Sequence, residues 1–303
     1  MPKKSSVIFF SSKAISGGAT NDCKFYIDWN AILKPNMPYY VSFSMLSSGT
    51  ATYDGHSPPL LWIDFYANTY SGTSSGGAGT NNVLGIIKPL LERPVVNSVI
   101  LYADEYSNSP SYIANRPNNT IVNIKIVRTD GTLWQDDAAT PINPQPWTIT
   151  LHFTEAIEQP IIKKMFLTSN VSTATYAVDM NAILDKTKQY KVSFTLAGGK
   201  PVGTSYGIMM LNTNWNLDTT YPFSTYSYAS EYGILGVIGR RRYDTGSVGS
   251  YIDSDINTNE PVTIVHWGNT LELRFVDDTL ALHPNFPGSG NKWALMLSFT
   301  EIK

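Results

Sequence analysis

Charge is scarce in this sequence. Asp, Glu, Lys and Arg make up 15% of the 303 residues, against about 25% in an ordinary globular chain. Exposed helices draw support from Glu and Lys pairs one turn apart, so the shortage argues against long surface helices. A surface this neutral also suits coverage by neighbours, because interface centres are poor in charge and rich in aromatics. The net charge of −2 removes any general electrostatic case for nucleic-acid binding. Cysteine is scarcer still: Cys23 stands alone, which excludes an intramolecular disulfide and fits a reducing compartment. No stretch approaches the roughly 20 apolar residues of a membrane-spanning helix. Val7-Ile8-Phe9-Phe10 is too short for the apolar core of a secretion signal. The expectation is a soluble, unsecreted protein made in the cytoplasm.

Groups that carry chemistry are also sparse. The four histidines, His56, His152, His266 and His283, form no His-x-His or His-Glu-x-x-His pattern, so no metal is expected. His152 alternates with Leu151 and Phe153 and reads as a solvated strand residue. Cys23 has no basic or histidine neighbour to activate it and reads as a small inert thiol. Nucleophile elbow, phosphate loop and dinucleotide fingerprint are all absent, so no cofactor is expected. The glycine-rich run from Ser71 to Gly79 lacks the Lys-Ser/Thr that reaches phosphates and reads as a flexible loop tip. Asp136-Asp137 and Asp277-Asp278 could form a weak calcium site, but solvated turn residues are the commoner origin of such pairs.

What is present is a repeat. Ile27-Asp28-Trp29-Asn30-Ala31-Ile32-Leu33 returns 151 positions later as Val178-Asp179-Met180-Asn181-Ala182-Ile183-Leu184, five of seven residues identical. Val41-Ser42-Phe43 returns as Val192-Ser193-Phe194, and Leu84-Gly85-Ile86-Ile87 as Leu235-Gly236-Val237-Ile238, at the same spacing. Trp147 with Leu151-His152-Phe153-Thr154-Glu155 pairs with Trp293 and Leu297-Ser298-Phe299-Thr300-Glu301, 146 apart. Ile8-Phe9-Phe10-Ser11-Ser12 matches Met165-Phe166-Leu167-Thr168-Ser169. The period has the size of a domain, about 100 to 150 residues, and is far too long for a solenoid unit. A tandem duplication is expected, with units at residues 1–157 and 158–303 and a short connection near Ala156 to Pro160.

Strand signals fill both units. Tyr39–Met45, Leu60–Tyr66, Ser98–Tyr102, Thr120–Val127 and Trp147–Phe153 are strand candidates, with Tyr190–Leu196, Tyr206–Leu211, Pro261–His266, Thr270–Val276 and Lys292–Phe299 as their relatives. In Thr148-Ile149-Thr150-Leu151-His152-Phe153 every second residue is apolar, the period of a strand with one face on a core. Each Asp-x-Asn-Ala-Ile-Leu block reads as one helical turn capped by its Asp; a catalytic role for Asp28 and Asp179 is the rarer reading. With roughly eight short strands per unit and no βαβ rhythm, the expected fold is all-β. It is read as two tandem eight-stranded jelly-roll sandwiches packed side by side.

Two local features stand out. Trp215, Tyr221, Tyr226, Tyr228 and Tyr232 lie in a loop dense in Ser, Thr and Asn, a mixture that suits contact surfaces or aromatics folded back over their own domain edge. Arg240-Arg241-Arg242 stands where the first unit has Pro89-Leu90-Leu91. It reads as a clamp for an acidic partner or a nucleic-acid backbone, or as a solvated basic turn.

The phrase (Phe/Tyr)-x-(Ile/Val)-Asp-x-Asn-Ala-Ile-Leu followed by (Tyr/Lys)-Val-Ser-Phe-(Ser/Thr), at Phe25 to Ser44 and Tyr176 to Thr195, resembles segments of double jelly-roll minor capsid proteins of nucleocytoplasmic large DNA viruses. Major capsid proteins of that lineage are longer, with tower insertions that this chain lacks. The resemblance implies a structural, non-enzymatic subunit in the virion, made in the host cytoplasm. Its partners would be major and other minor capsid proteins, with self-association possible. The alternatives are a tandem β-sandwich carbohydrate-binding protein that stacks sugars on Trp215, Tyr221 and Tyr226, and a two-jelly-roll glycosidase using acids such as Asp28, Asp179, Glu231 and Glu260.

Overall fold

The computed structural model describes residues 5–14, 21–47, 51–52, 57–76, 79–91, 98–134, 146–157, 159–200, 209–218, 233–238, 250–254, 259–277, 280–283, 286–287 and 292–302. The first half runs through β1 (Ser5–Ser11), β2 (Asp22–Tyr26), the helical turn α1 (Trp29–Ile32), β3 (Tyr39–Ser47), β4 (Ala51–Thr52), β5 (Leu60–Ile63), β6 (Tyr70–Thr73), β7 (Val83–Ile86), β8 (Lys88–Leu91), β9 (Ser98–Ala103), β10 (Ser111–Ile113), β11 (Ile121–Val127) and β12 (Trp147–Glu155). The second continues with β13 (Ile162–Ser169), β14 (Thr173–Ala177), α2 (Met180–Ile183), β15 (Gln189–Lys200), β16 (Met209–Thr213), β17 (Asn216–Leu217), β18 (Gly233–Ile238), β19 (Ser250–Ser254), β20 (Val262–His266), β21 (Thr270–Val276) and β22 (Trp293–Ile302).

Each half builds two antiparallel sheets. In the first, β1-β12-β3 is extended by β10 on β3, and β2-β11-β5-β7 faces it. In the second, β13-β22-β15-β20 and β14-β21-β16-β18 repeat that order strand for strand. A sheet whose neighbours come from opposite ends of the unit, facing a second one built the same way, is the jelly-roll arrangement. Alternation drives it. Along β12, Trp147, Ile149, Leu151 and Phe153 are buried, while Thr148, Thr150 and His152 lie on the other face. Tyr39, Val41, Phe43 and Met45 do the same on β3. Edge-to-face rings fill the gap between the sheets: Trp29 with Phe153 at 5.7 Å and Phe10 with Phe25 at 4.8 Å in the first half, Phe275 with Trp293 at 5.2 Å in the second.

The repeated Asp block forms the two helical turns as expected. Asp28 caps α1 by accepting from the Asn30 amide at 3.0 Å, and Asp179 caps α2 from Asn181 at 3.1 Å. One tyrosine then pins each turn to its sheet: the Tyr39 hydroxyl accepts from the Lys34 amide and the Tyr190 hydroxyl from the Asp185 amide. The connection between halves is held as well. The Ala156 amide donates to Pro38 O at 2.9 Å, and the Tyr40 hydroxyl donates to Pro160 O.

One expectation fails. Ser71 to Thr73 is not part of a loop tip: β6 leaves the first half and pairs in parallel with Met165–Thr168 of β13, adding a strand to the second half's sheet. Small residues suit such an insertion, since a Cβ on Gly72 would collide with the Tyr70 ring at 2.7 Å.

Candidate interaction surface

Several ionisable groups among the described residues have structural roles. Asp28 and Asp179 are helix caps. Burial, assisted by the Asp22 charge, pushes the Cys23 thiol up to about 11, which keeps it protonated and unreactive. His152 is half-buried, with Nε2 3.5 Å from Glu105 Oε2; His266 is exposed. His283 is buried, which lowers its pKa against the opposing pull of Asp277. Among the described residues no cluster of three metal-ligating side chains occurs, and no helix is long and apolar enough to cross a membrane. His56, Asp136, Asp137, Asp278 and Glu231 lie outside the described residues.

The sequence-derived contact residues divide sharply. Trp215 is 1% exposed and packs on Phe299 at 5.7 Å, inside the second half's core. Its ring therefore offers no area to a partner or a sugar. In sequence it follows β16 directly, at the start of the aromatic loop, and its ring belongs to the second half's core. Tyr221, Tyr226, Tyr228, Tyr232, Arg240, Arg241 and Arg242 lie outside the described residues.

The clearest surface feature comes from comparing the outer faces of the two equivalent sheets. In the second half, Phe166, Met296 and Thr195 stand side by side in register, flanked by Lys164-Ser298-Ser193 and Thr168-Ala294-Ala197. Every one of these except Ser193 is buried, Phe166 completely. The first half covers them, and Phe166, Ala197, Ala294 and Met296 belong to its hydrophobic core. Polar links surround that contact. Thr195 Oγ1 donates to Ser107 O at 3.2 Å, and the Ser109 and Ser193 hydroxyls meet at 3.1 Å. The Thr69 amide donates to Lys164 O at 2.8 Å, and the Ser74 amide donates to Thr168 O at 3.2 Å. Lys164 reaches Leu84 O at 3.3 Å, and its burial pulls the ammonium down to about 7.

The matching face of the first half carries Phe9-Thr150-Ser44, Val7-His152-Ser42 and Ser11-Thr148-Leu46 in the same register. Here Phe9 is 72% exposed, Leu46 54% and Val7 45%. Phe9 and Phe166 occupy the same place in the two sheets and have opposite surroundings. Exposed apolar residues are ordinary singly; here Phe9 and Val7 share β1 and Leu46 lies two strands away on β3, all on one sheet face. β1 is also an edge strand, paired only with β12 among the described residues, and an open edge is a template for further pairing.

Sequence reasoning missed the elements that do the covering. Asn108-Ser109-Pro110-Ser111-Tyr112-Ile113 recurs as Asn259-Glu260-Pro261-Val262-Thr263-Ile264, again 151 positions on. The shared Asn-x-Pro-x-x-Ile was the available signal.

No protein-family profile matches the chain, and no curated protein matches it. Among solved structures it is similar to the major capsid protein P2 of bacteriophage PM2, with 7% identity, 98% of each chain covered and a TM-score of 0.30. It is also similar to the mavirus penton protein (9% identity, 99% of this chain and 100% of that chain, TM-score 0.22) and to the T=1 particle protein of infectious bursal virus (10% identity, 99% and 69%, TM-score 0.20). Likenesses this distant carry no functional weight, and the jelly-roll description rests on the chain's own strand order.

Proposed function

We propose that this chain is a structural subunit of an icosahedral viral shell, acting as a minor, cementing component and not as an enzyme. In this reading residues 1–157 and 158–303 are duplicated jelly rolls. The chain is made in the host cytoplasm and resides in the virion against major and other minor capsid proteins. The observation that carries the reading is the exposure of Phe9, Val7 and Leu46 on a sheet face whose twin is covered by the first half. A sandwich that presents an apolar sheet face gains stability by docking, and docking is the work of a shell subunit. The phrase around Asp28 and Asp179 supports the same family. Tyr221, Tyr226, Tyr228, Tyr232 and Arg240 to Arg242 are proposed as additional contacts, as such residues supply the strongest points of interfaces.

Mass spectrometry of purified particles tests the proposal. The chain is expected in fixed stoichiometry with the major shell protein, surviving the salt washes that strip adventitious proteins. Its absence from particles defeats the reading. A sugar-binding platform is disfavoured because Trp215 is buried, and a glycan array that returns no ligand is the expected result.

A further inference from the structure

We propose that a groove on the second sandwich, lined by Lys186, Gln189, Val265, Trp267 and Ile302, is a docking site for an extended acidic peptide segment of a different protein. The proposal rests on the shell-subunit reading only for the source of that segment.

The groove has a volume of about 710 Å³ and is open to solvent, within the roughly 300–1,000 Å³ of ligand clefts. Part of its lining is the end of the sheet face that the first half leaves uncovered. Gln189 pairs there with Ile302 between β15 and β22, and Val265 on β20 is 59% exposed. Lys186, Thr187 and Lys188, from the loop after α2, line it as well, together with His266 and the acid Asp218. Trp267 packs edge-on against Tyr190 at 6.2 Å, and its buried indole N–H has no acceptor. A buried donor without an acceptor is unusual in a folded protein. An acidic peptide is rich in the acceptors that this lining lacks.

The first half shows what the equivalent place holds. At the 151 spacing Gln189 corresponds to Pro38, Lys191 to Tyr40 and Thr263 to Tyr112. The chain's own connection between the halves crosses there. The Ala156 amide donates to Pro38 O at 2.9 Å, and the Tyr40 hydroxyl, its ring 6.1 Å from that of Tyr112, donates to Pro160 O. In the second half Lys191 and Val265 are exposed, and none of the described residues crosses them. The residues that differ state the chemistry of the occupant. Lys186, Lys188, Lys191 and His266 stand where the first half has Pro35, Met37, Tyr40 and Asn115. Lys188 is shared with Glu301 at 2.8 Å, whereas Lys186 and Lys191 enter no ion pair among the described residues. Positive charge replaces an aromatic grip, so the segment that fits is extended like residues 156–161 and acidic.

The test uses the full chain and a fluorescein-labelled peptide with the sequence of residues 155–161, which carries two glutamates. Fluorescence polarisation at about 50 mM salt should give a Kd below about 1 mM. At about 500 mM salt, where exposed charges are screened, the affinity should fall several-fold. A peptide with both glutamates replaced by lysine should not bind. Lys186→Glu, Lys191→Glu and Val265→Asp should each weaken binding of the acidic peptide roughly fivefold or more. Lys24→Glu, at an exposed lysine on the first sandwich, should leave it unchanged. All four side chains are exposed, so circular dichroism should not change. Failure of the acidic peptide to bind, equal binding of the lysine peptide, or binding that survives in both Lys186→Glu and Lys191→Glu overturns the docking site. The shell-subunit reading is decided separately. No peptide binding by a chain found in fixed stoichiometry in particles overturns the groove alone, and peptide binding by a chain absent from particles overturns the shell alone.

Discussion

Asn108 and Asn259 perform the same task in places of different burial. Asn108 accepts from the Ile86 amide at 2.9 Å and donates to its carbonyl at 3.0 Å; Asn259 holds Val237 at 2.7 and 2.8 Å. Each side chain stands in for a missing strand at the end of its sheet, satisfying backbone groups that a jelly-roll edge leaves open. A glycine precedes the bracketed residue both times, since a Cβ at Gly85 would sit 2.8 Å from the Asn108 side chain and 2.5 Å from the Phe43 ring.

That difference in burial yields the first prediction. Asn108→Ala strands two buried backbone groups between the sandwiches, where each unsatisfied group costs about 1–3 kcal/mol. Asn259→Ala leaves the same two groups within reach of water. Chemical denaturation should show a loss of roughly 2 kcal/mol or more for Asn108→Ala and under about 1 kcal/mol for Asn259→Ala. Equal losses would mean that the first bracket is not buried by the second half.

Lys164 gives a pH dependence whose sign is fixed. Its folded pKa is about 7, against about 10.4 for an unfolded lysine. Between these values the unfolded chain holds a proton that the folded chain has lost, so stability rises with pH across that window and the penalty is complete below it. Lys164→Met removes the penalty while keeping similar bulk. Its Tm should exceed the wild type's at pH 7, with the gap closing as pH approaches 10. A constant gap, or a lower Tm at neutral pH, contradicts the assignment.

The helix caps provide a third test. Asp28→Ala and Asp179→Ala each remove one acceptor from the start of a single turn, which costs about 1 kcal/mol. Both carboxylates cap in the same way, so similar losses are expected in thermal melts. Asp28→Asn and Asp179→Asn, which keep the acceptor oxygen, should recover most of the loss. A catalytic carboxylate would behave differently, losing function in the Asn variant while stability held.

The sequence made the repeat legible because its matching positions are those that cannot drift. Phe153 and Phe299, Trp147 and Trp293, and the capped turns all face a filled core, where a changed volume is felt at once. The closing strand of the first half could be read from alternation alone. β2 and β14 could not, because Asp22-Cys23-Lys24-Phe25-Tyr26 and Thr173-Ala174-Thr175-Tyr176-Ala177 are short, and the first mixes charge into its run. β6 was illegible for a deeper reason: its partner lies in the other half, and a strand specified by distant backbone leaves little mark on its own residues. Trp215 misled because a tryptophan beside an aromatic loop looks the same in sequence whether it points out or in. The exposure of Phe9 was equally hidden, since Phe9 and Phe166 occupy matching blocks and only the packing of the halves separates them.

Phe9 and Phe166 therefore make the sharpest comparison of energetics. Phe166 is fully buried between the halves, so Phe166→Ala opens a cavity and should cost about 3–5 kcal/mol. Phe9 is 72% exposed, so Phe9→Ala should shift the stability of the isolated chain by no more than about 0.5 kcal/mol. The measurement is paired urea denaturation at a concentration low enough to keep the chain monomeric. Equal losses for the two variants would mean that Phe166 is not buried between the halves.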